Sequence, residues 1–173
     1  QYPLERKLLS FFFNSRFVGE NSRKSPLVDP VSRADLAYFI AQLKGISKEK
    51  DLDTPVFKDV SAKYWAASEI AQIVEHRWMV EYPDGLFHPE KPVRKLEAVL
   101  TFVRAFGLKL PTSSGKLPYQ DIPLNHWANR FVRAALADHL IQPGEYLNPD
   151  TELSRLDFFQ MTQKQFALHQ VTK

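Results

Sequence analysis

Cysteine is absent from the 173 residues, so the chain has no disulfide framework, no thiolate nucleophile and no cysteine-held zinc or iron–sulfur cluster. Glycine is scarce, and its six copies form no phosphate-cradling run. No stretch of roughly eighteen apolar residues, the length a membrane-spanning helix needs, occurs anywhere. Five histidines, His76, His88, His126, His139 and His169, lack both HxxxH and HExxH spacing and have no carboxylate cluster beside them, so no metal is expected. No nucleophile elbow or acid pair at a recognisable spacing appears, so neither an enzyme nor a cofactor site is expected. Charge of neither sign dominates: 23 Lys and Arg against 20 Asp and Glu leave +3, which favours an acidic partner but falls short of a nucleic-acid footprint. What is present is an ordinary globular composition, 44% hydrophobic and 25% charged, enough to build a core. Gln1 is not an initiator methionine, and no basic start with an apolar run precedes the first helix-like segment, so the numbering is expected to begin inside a longer or processed protein.

The sequence repeats. Phe57-Lys58-Asp59-Val60 followed by Tyr64-Trp65-Ala66 recurs as Tyr119-Gln120-Asp121-Ile122 followed by His126-Trp127-Ala128, with Asp and Trp each displaced by 62 positions. The same offset pairs Ile70, Val74 and Trp78 with Val132, Leu136 and Leu140, an apolar stripe at helical spacing written twice. Shifted back by 61, the stripe falls on Leu9, Phe13 and Phe17, although the opening that should precede it is missing.

A second element recurs three times. Ser32-Arg33-Ala34-Asp35, Arg94-Lys95-Leu96-Glu97 and Ser154-Arg155-Leu156-Asp157 stand 62 and 60 positions apart, each ahead of an apolar segment. In the first and third, Ser with an acid three residues later predicts a capping box. Helices are predicted near 33–44, 95–106 and 155–168, packed together near one axis. Phe39, Ile40 and Leu43, then Phe102, Val103 and Phe106, then Phe159 and Phe166 form their buried faces, and Gly45 and Gly107 end the first two. Between the helices of each unit lies a turn-rich connection, clearest as Glu81-Tyr82-Pro83-Asp84-Gly85-Leu86-Phe87-His88-Pro89. The third copy shortens it to Pro143-Gly144-Glu145-Tyr146-Leu147-Asn148-Pro149, and the first replaces it with residues from Glu20 to Pro26. Leu52 to Pro55 and Pro111 to Pro118 read as polar linkers, dividing the chain at 1–47, 55–110 and 117–173.

An aromatic-x-Asp-Val opening, Trp-Ala six residues after the Asp, a Tyr-Pro-Asp-Gly-x-Phe-x-Pro loop and a cation-x-acid helix start together resemble the S-layer homology domain. Three tandem copies cover nearly the whole chain, the second most fully. The resemblance implies a mainly α module of three helix-loop-helix repeats around a pseudo-threefold axis, with a central three-helix bundle and grooves between neighbouring repeats. It also implies a role: anchoring a larger bacterial surface protein to the cell wall, usually through a secondary cell-wall polysaccharide with ketal-linked pyruvate, or through peptidoglycan in other envelopes. The implied location is extracellular, at the cell wall or S-layer, or on the periplasmic face of an outer envelope. The family's groove residues include the Arg of Thr-Arg-Ala-Glu, and Arg33, Lys95 and Arg155 occupy that position here. Lys95 stands where Arg is usual, Ser32, Arg94 and Ser154 replace Thr, and the full loop survives in one copy, so two grooves at most are expected to be competent.

A cation beside the free N–H groups of a helix start suits a carboxylate, and arginine adds a bidentate fork that lysine lacks. These cations are also readable as exposed first-turn residues whose loss leaves the fold intact, but their threefold recurrence favours a binding role. Trp65 and Trp127 offer indole faces for a sugar ring, or serve as seam residues between copies. Tyr82, Asp84 and Gly85 border the groove, where Gly permits close approach of a ligand, though the turn by itself would account for Gly and Asp. The loop from Glu81 to Pro89 is expected to line a usable site and the first-copy loop not to. Asp59 and Asp121 are expected to be structural, accepting backbone N–H bonds at a helix start. Three readings follow: a glycan-binding anchor, a degenerate structural or protein-interaction module built from the same repeat, and an enzyme, which the residues support least.

Overall fold

The computed structural model describes residues 30–46 and 52–171. Leu9, Phe13 and Phe17, the connection from Glu20 to Pro26 and the Phe166 side chain lie outside the described residues. Among the described residues five helices follow in order: α1 Arg33–Leu43, α2 Ala67–Glu75, α3 Lys95–Ala105, α4 Asn129–Ala137 and α5 Arg155–Val171. Among the described residues the only extended pairing consists of isolated bridges, so the protein is mainly α, as its sequence predicts.

Those bridges tie the helix starts together. Val31 N–H donates to Leu153 O at 2.9 Å, Leu153 N–H to Val93 O at 2.8 Å, and Val93 N–H to Val31 O at 2.8 Å, a closed ring of three. Each of these buried residues stands one position ahead of a helix cap, so the ring gathers the starts of α1, α3 and α5 at one point. Beyond the ring the three helices share an aromatic junction: Phe158 meets Phe39 edge-on at 4.5 Å and Phe102 at 5.8 Å. Around this centre α2 packs against α1 and α4 against α3. A helix of one sequence copy therefore covers a helix of the next, and the core runs continuously across the copy boundaries.

Local chemistry accounts for the starts and stops. Ser32 and Asp35 form the predicted reciprocal box, Asp35 N–H to Ser32 Oγ at 3.1 Å and Ser32 N–H to Asp35 Oδ2 at 3.0 Å. Ser154 Oγ accepts from Asp157 N–H at 3.1 Å. Arg94, which has no capping oxygen, instead donates its guanidinium to Asp150 O. Gly45 and Gly107, both in the left-handed region with φ of 65° and 60°, end α1 and α3 as predicted. Leu108 N–H reaches back to Val103 O at 2.9 Å, and Ile46 N–H to Ala41 O at 3.0 Å, closing the last turns.

The helices α2 and α4 stop in the same way without glycine: Arg77 and His139 take up φ of 57° and 59°. The helical stripe predicted through Trp78 and Leu140 therefore breaks, because α2 ends at Glu75 and α4 at Ala137. Trp78 and Leu140 lie past the reversal, donating to Ile73 O at 3.0 Å and Ala135 O at 2.9 Å, and return to the core from there. An L-residue in this conformation costs about 1–2 kcal/mol, partly offset in a glycine variant by the looser unfolded chain. Arg77→Gly is therefore expected to stabilise the protein by about 0.5–1 kcal/mol, seen as a rise of about 1–4 °C in thermal melting. An unchanged or lower Tm would mean that the arginine side chain supplies compensating contacts.

Residues 111–118 are not the free linker their composition suggests. Asn129, fully buried, exchanges bonds with Gly115, donating Nδ2 to Gly115 O and accepting Gly115 N–H, both at 3.0 Å. Arg130 and Arg133 of α4 donate to Pro111 O and Ser113 O at 2.6 and 2.5 Å. Four backbone polar groups of this segment are thus satisfied by one helix, which holds the segment against the domain.

Candidate functional site

The connection between α2 and α3 is a folded loop. Tyr82 N–H donates to Leu86 O at 2.9 Å and Gly85 N–H to Tyr82 O at 2.8 Å, with Gly85 at φ 75°, a conformation that suits glycine. Asp84 accepts from Leu86 N–H at 2.9 Å and meets His88 Nε2 at 2.6 Å. These bonds, the Leu86 amide foremost, hold the Asp84 carboxyl below its ordinary value. Tyr82 packs edge-on against His88 at 5.1 Å, and the Lys91 ammonium lies 4.2 Å from the Tyr82 ring centroid.

Asp59 clasps this loop from a distance, accepting from Phe87 N–H at 3.1 Å and His88 N–H at 2.7 Å. Asp121 does the same with Leu147 N–H at 2.9 Å and Asn148 N–H at 2.7 Å. The two aspartates are structural, as expected, but they do not fix the helix starts; Ala66 and Ala128 stand there without a side-chain cap. The reason is the left-handed residue, His88 at φ 55° or Asn148 at φ 56°, which turns two successive N–H groups toward one carboxylate.

Arg33 enters this loop from α1. Its Nε donates to Phe87 O at 2.7 Å and its Nη2 to Val80 O at 2.6 Å, while Nη1 pairs with Glu97 of α3. The guanidinium also lies 4.8 Å from the Tyr82 ring centroid and 4.5 Å from that of Phe87. Arg33 is 2% exposed and Arg155 1%, so the expectation of exposed first-turn cations fails for both arginines. The physical cause is the central ring, which turns each helix start inward against the neighbouring copy's loop and acid. Burial lowers the Arg33 pKa to about 10, which leaves it cationic at neutral pH. Arg155 Nη2 stands 3.8 Å from Asp35 Oδ2, repeating the pairing of a cation with the next helix start's acid. Burial raises the Asp35 carboxyl above its ordinary value, against the opposing pull of the Ser32 cap and Arg155.

Lys95 differs. Its backbone keeps the same register, Lys95 N–H to Thr151 O at 2.9 Å and Leu96 N–H to Pro149 O at 3.0 Å, matching Arg33 to Lys91 O and Ala34 to Pro89 O. Its side chain is half-buried, and among the described residues its ammonium makes no hydrogen bond or ion pair.

The two tryptophans also diverge. Trp65 is half-buried against Tyr38 of α1 at 5.6 Å and Tyr64 at 5.8 Å, a seam residue between copies. Tyr64 in turn donates to Glu90. Trp127 is 68% exposed, stacked only shallowly beside His126 at 5.8 Å. Thus Arg33, Tyr82, Asp84 and Gly85 belong to one loop assembly, while Lys95 and Trp127 belong to the third copy's side. Sequence reasoning missed two participants. Glu97 was legible as a helix-start acid but not as the counter-ion of Arg33. Tyr119 was legible as the opening aromatic, yet its hydroxyl donates to Gln142 O at 2.6 Å.

Clasped loops and a ring of helix starts define a helical module, and no described helix is long and apolar enough to cross a membrane. Residues 56–99 match the S-layer homology domain, so the chain carries a member of that family. A cellulosome-anchoring protein of Acetivibrio thermocellus is 28% identical over 134 residues, 73% of this chain and 30% of its own length. A surface-layer 125 kDa protein of Lysinibacillus sphaericus is 30% identical over 145 residues, 80% of this chain and 12% of its own. Cell surface glycoprotein 1 of Acetivibrio thermocellus is 30% identical over 103 residues, 57% of this chain and 4% of its own. The chain spans less than a third of the length of each of these curated relatives.

Proposed function

We propose that this chain is a non-catalytic anchoring module that holds a larger surface protein to the bacterial cell wall, and that its ligand is an anionic, pyruvylated secondary cell-wall polysaccharide. The observation that carries the reading is the match of residues 56–99 to the S-layer homology domain, together with similarity over most of the chain to proteins named for anchoring and surface layers. The site supports it chemically. Lys95 stands at a helix start with no hydrogen bond or ion pair on its ammonium among the described residues, Tyr82, Asp84 and Gly85 share the folded loop after α2, and Trp127 presents an exposed indole face for a sugar ring, whereas Arg33 and Arg155 are buried and Trp65 packs in the seam. A second reading, a structural or protein-interaction module, is favoured by one observation: the Arg33 fork is committed to Val80, Phe87 and Glu97.

Co-sedimentation with purified Gram-positive walls, before and after acid extraction of the polysaccharide, separates the readings. Binding should fall at least about tenfold on extracted walls, the loss of one charge-assisted contact or more. Equal binding to both would indicate peptidoglycan as the ligand, and binding to neither would favour the interaction module.

A further inference from the structure

Glycine follows an acid or an amide at one place in the chain, Asp84-Gly85. The step matters chemically, because a glycine nitrogen with no side chain beside it can approach the preceding aspartyl carboxyl carbon and close a succinimide ring. The ring needs room, and the site offers it: the Asp84 side chain is 50% exposed, and a Cβ at Gly85 would meet nothing within 4 Å. Against closure stand three bonds. The Gly85 N–H is committed to Tyr82 O at 2.8 Å, Asp84 Oδ1 accepts from Leu86 N–H at 2.9 Å, and Oδ2 is held by His88 Nε2 at 2.6 Å. His88 is itself fixed, its own N–H donating to Asp59 Oδ2 at 2.7 Å. The Leu86 amide foremost, then His88, holds the Asp84 carboxyl below its ordinary value, whereas ring closure draws on the neutral acid, whose hydroxyl can leave as water.

We propose that Asp84-Gly85 is a latent modification site, a centre for intramolecular succinimide and isoaspartyl formation, and that His88 is the positioning residue that keeps it shut. In the step itself the Gly85 nitrogen bonds to Asp84 Cγ, the Cγ–OH bond breaks, and the hydroxyl leaves as water with the amide proton. Water then adds to either ring carbonyl. Opening on one side returns aspartate, and opening on the other leaves the main chain running through Asp84 Cβ and Cγ. The isoaspartyl form lengthens the backbone by one methylene inside a turn closed by Tyr82 N–H to Leu86 O at 2.9 Å, a pairing that an insertion breaks. The next carbonyl along is Phe87 O, which with Val80 O takes the Arg33 guanidinium in a structural lock between α1 and this loop, so conversion loosens the lock. The third copy has Pro143-Gly144 in its shortened connection and lacks the site. The inference stands apart from the anchoring reading, since it applies equally to an anchor and to an interaction module.

The test follows the folded chain through ageing at neutral pH and physiological temperature, beside a free peptide of residues 81–89 and the variants His88→Asn and Asp84→Glu. Asparagine suits the left-handed backbone at this position, as Asn148 does in the third copy, so His88→Asn keeps the Asp59 clasp while removing the imidazole. Peptide mapping reads the fraction of residues 81–89 that has lost one water and the fraction that has regained the parent mass as the separately eluting isoaspartyl isomer. The free peptide should convert, and the folded parent should convert about ten- to a hundredfold more slowly, the combined worth of the hydrogen bonds that close the loop. His88→Asn should convert about two- to tenfold faster than the parent while its Tm stays within about 2 °C, because the lost contact is exposed. Asp84→Glu, which would have to close a larger ring, should show no conversion in the same window. In the aged parent, amide exchange at Gly85 should quicken in the converted fraction. A free peptide that does not convert would remove the site altogether. A folded parent that converts as fast as the peptide, or a His88→Asn variant that ages at the parental rate, would overturn the guarding role.

Discussion

Arg33→Ala is expected to destabilise the protein by about 2–4 kcal/mol, the cost of removing a buried, hydrogen-bonded cation whose partner Glu97 keeps partial access to solvent. The substitution strips the cap from Val80 O and Phe87 O and leaves the Glu97 carboxylate facing a void where the guanidinium stood. A surface cation would cost less than about 0.5 kcal/mol, so urea unfolding separates the two situations cleanly. Arg33→Lys should recover part of the loss, since one ammonium can satisfy an acceptor and Glu97 but not both carbonyls in the arginine geometry. The Tyr82 to His88 loop should loosen in the alanine variant, visible as faster amide exchange at Tyr82 and Gly85, whose N–H groups bond within that loop. A variant as stable as the parent would show that the Arg33 contacts contribute nothing net, and the lock would have to be discarded.

Phe158→Ala should cost a similar amount, about 3–5 kcal/mol, through an unrelated mechanism. Phe158 is fully buried and touches both of the other junction rings, Phe39 at 4.5 Å and Phe102 at 5.8 Å. Because the backbone ring of Val31, Val93 and Leu153 fixes the separation of the helix starts, the cavity has little room to collapse, which places the cost toward the upper end. Denaturant unfolding checks this against Phe131→Ala, a half-buried ring on α4 whose contacts include Arg104, and which should lose markedly less. Comparable losses at both sites would mean that the junction is no better packed than the periphery.

The helix starts, the capping box at Ser32 and the glycine stops at Gly45 and Gly107 were readable in the sequence because each is a local device. Its donor, acceptor and dihedral requirement all lie within four residues, and chain order fixes that distance before any folding occurs. Periodic apolar residues likewise specify which face of a helix is buried, and a motif repeated at a near-constant offset indicates equivalent elements. The chemistry of Arg33 was legible only as far as its charge. That it is spent on Val80, Phe87 and Glu97 depends on residues 47 to 64 positions away, which the ring of helix starts brings within bonding distance. The same holds for Asp59, read as a helix-start acceptor but committed to amides 28 and 29 residues on, and for the segment at Gly115, whose polar composition hid a buried asparagine partner. Sequence by itself determined the elements, their order and the residue types available to each cleft. Tertiary structure alone decided which cations are buried and which face solvent, because burial and pairing depend on contacts between segments whose separation in space the linear pattern does not encode.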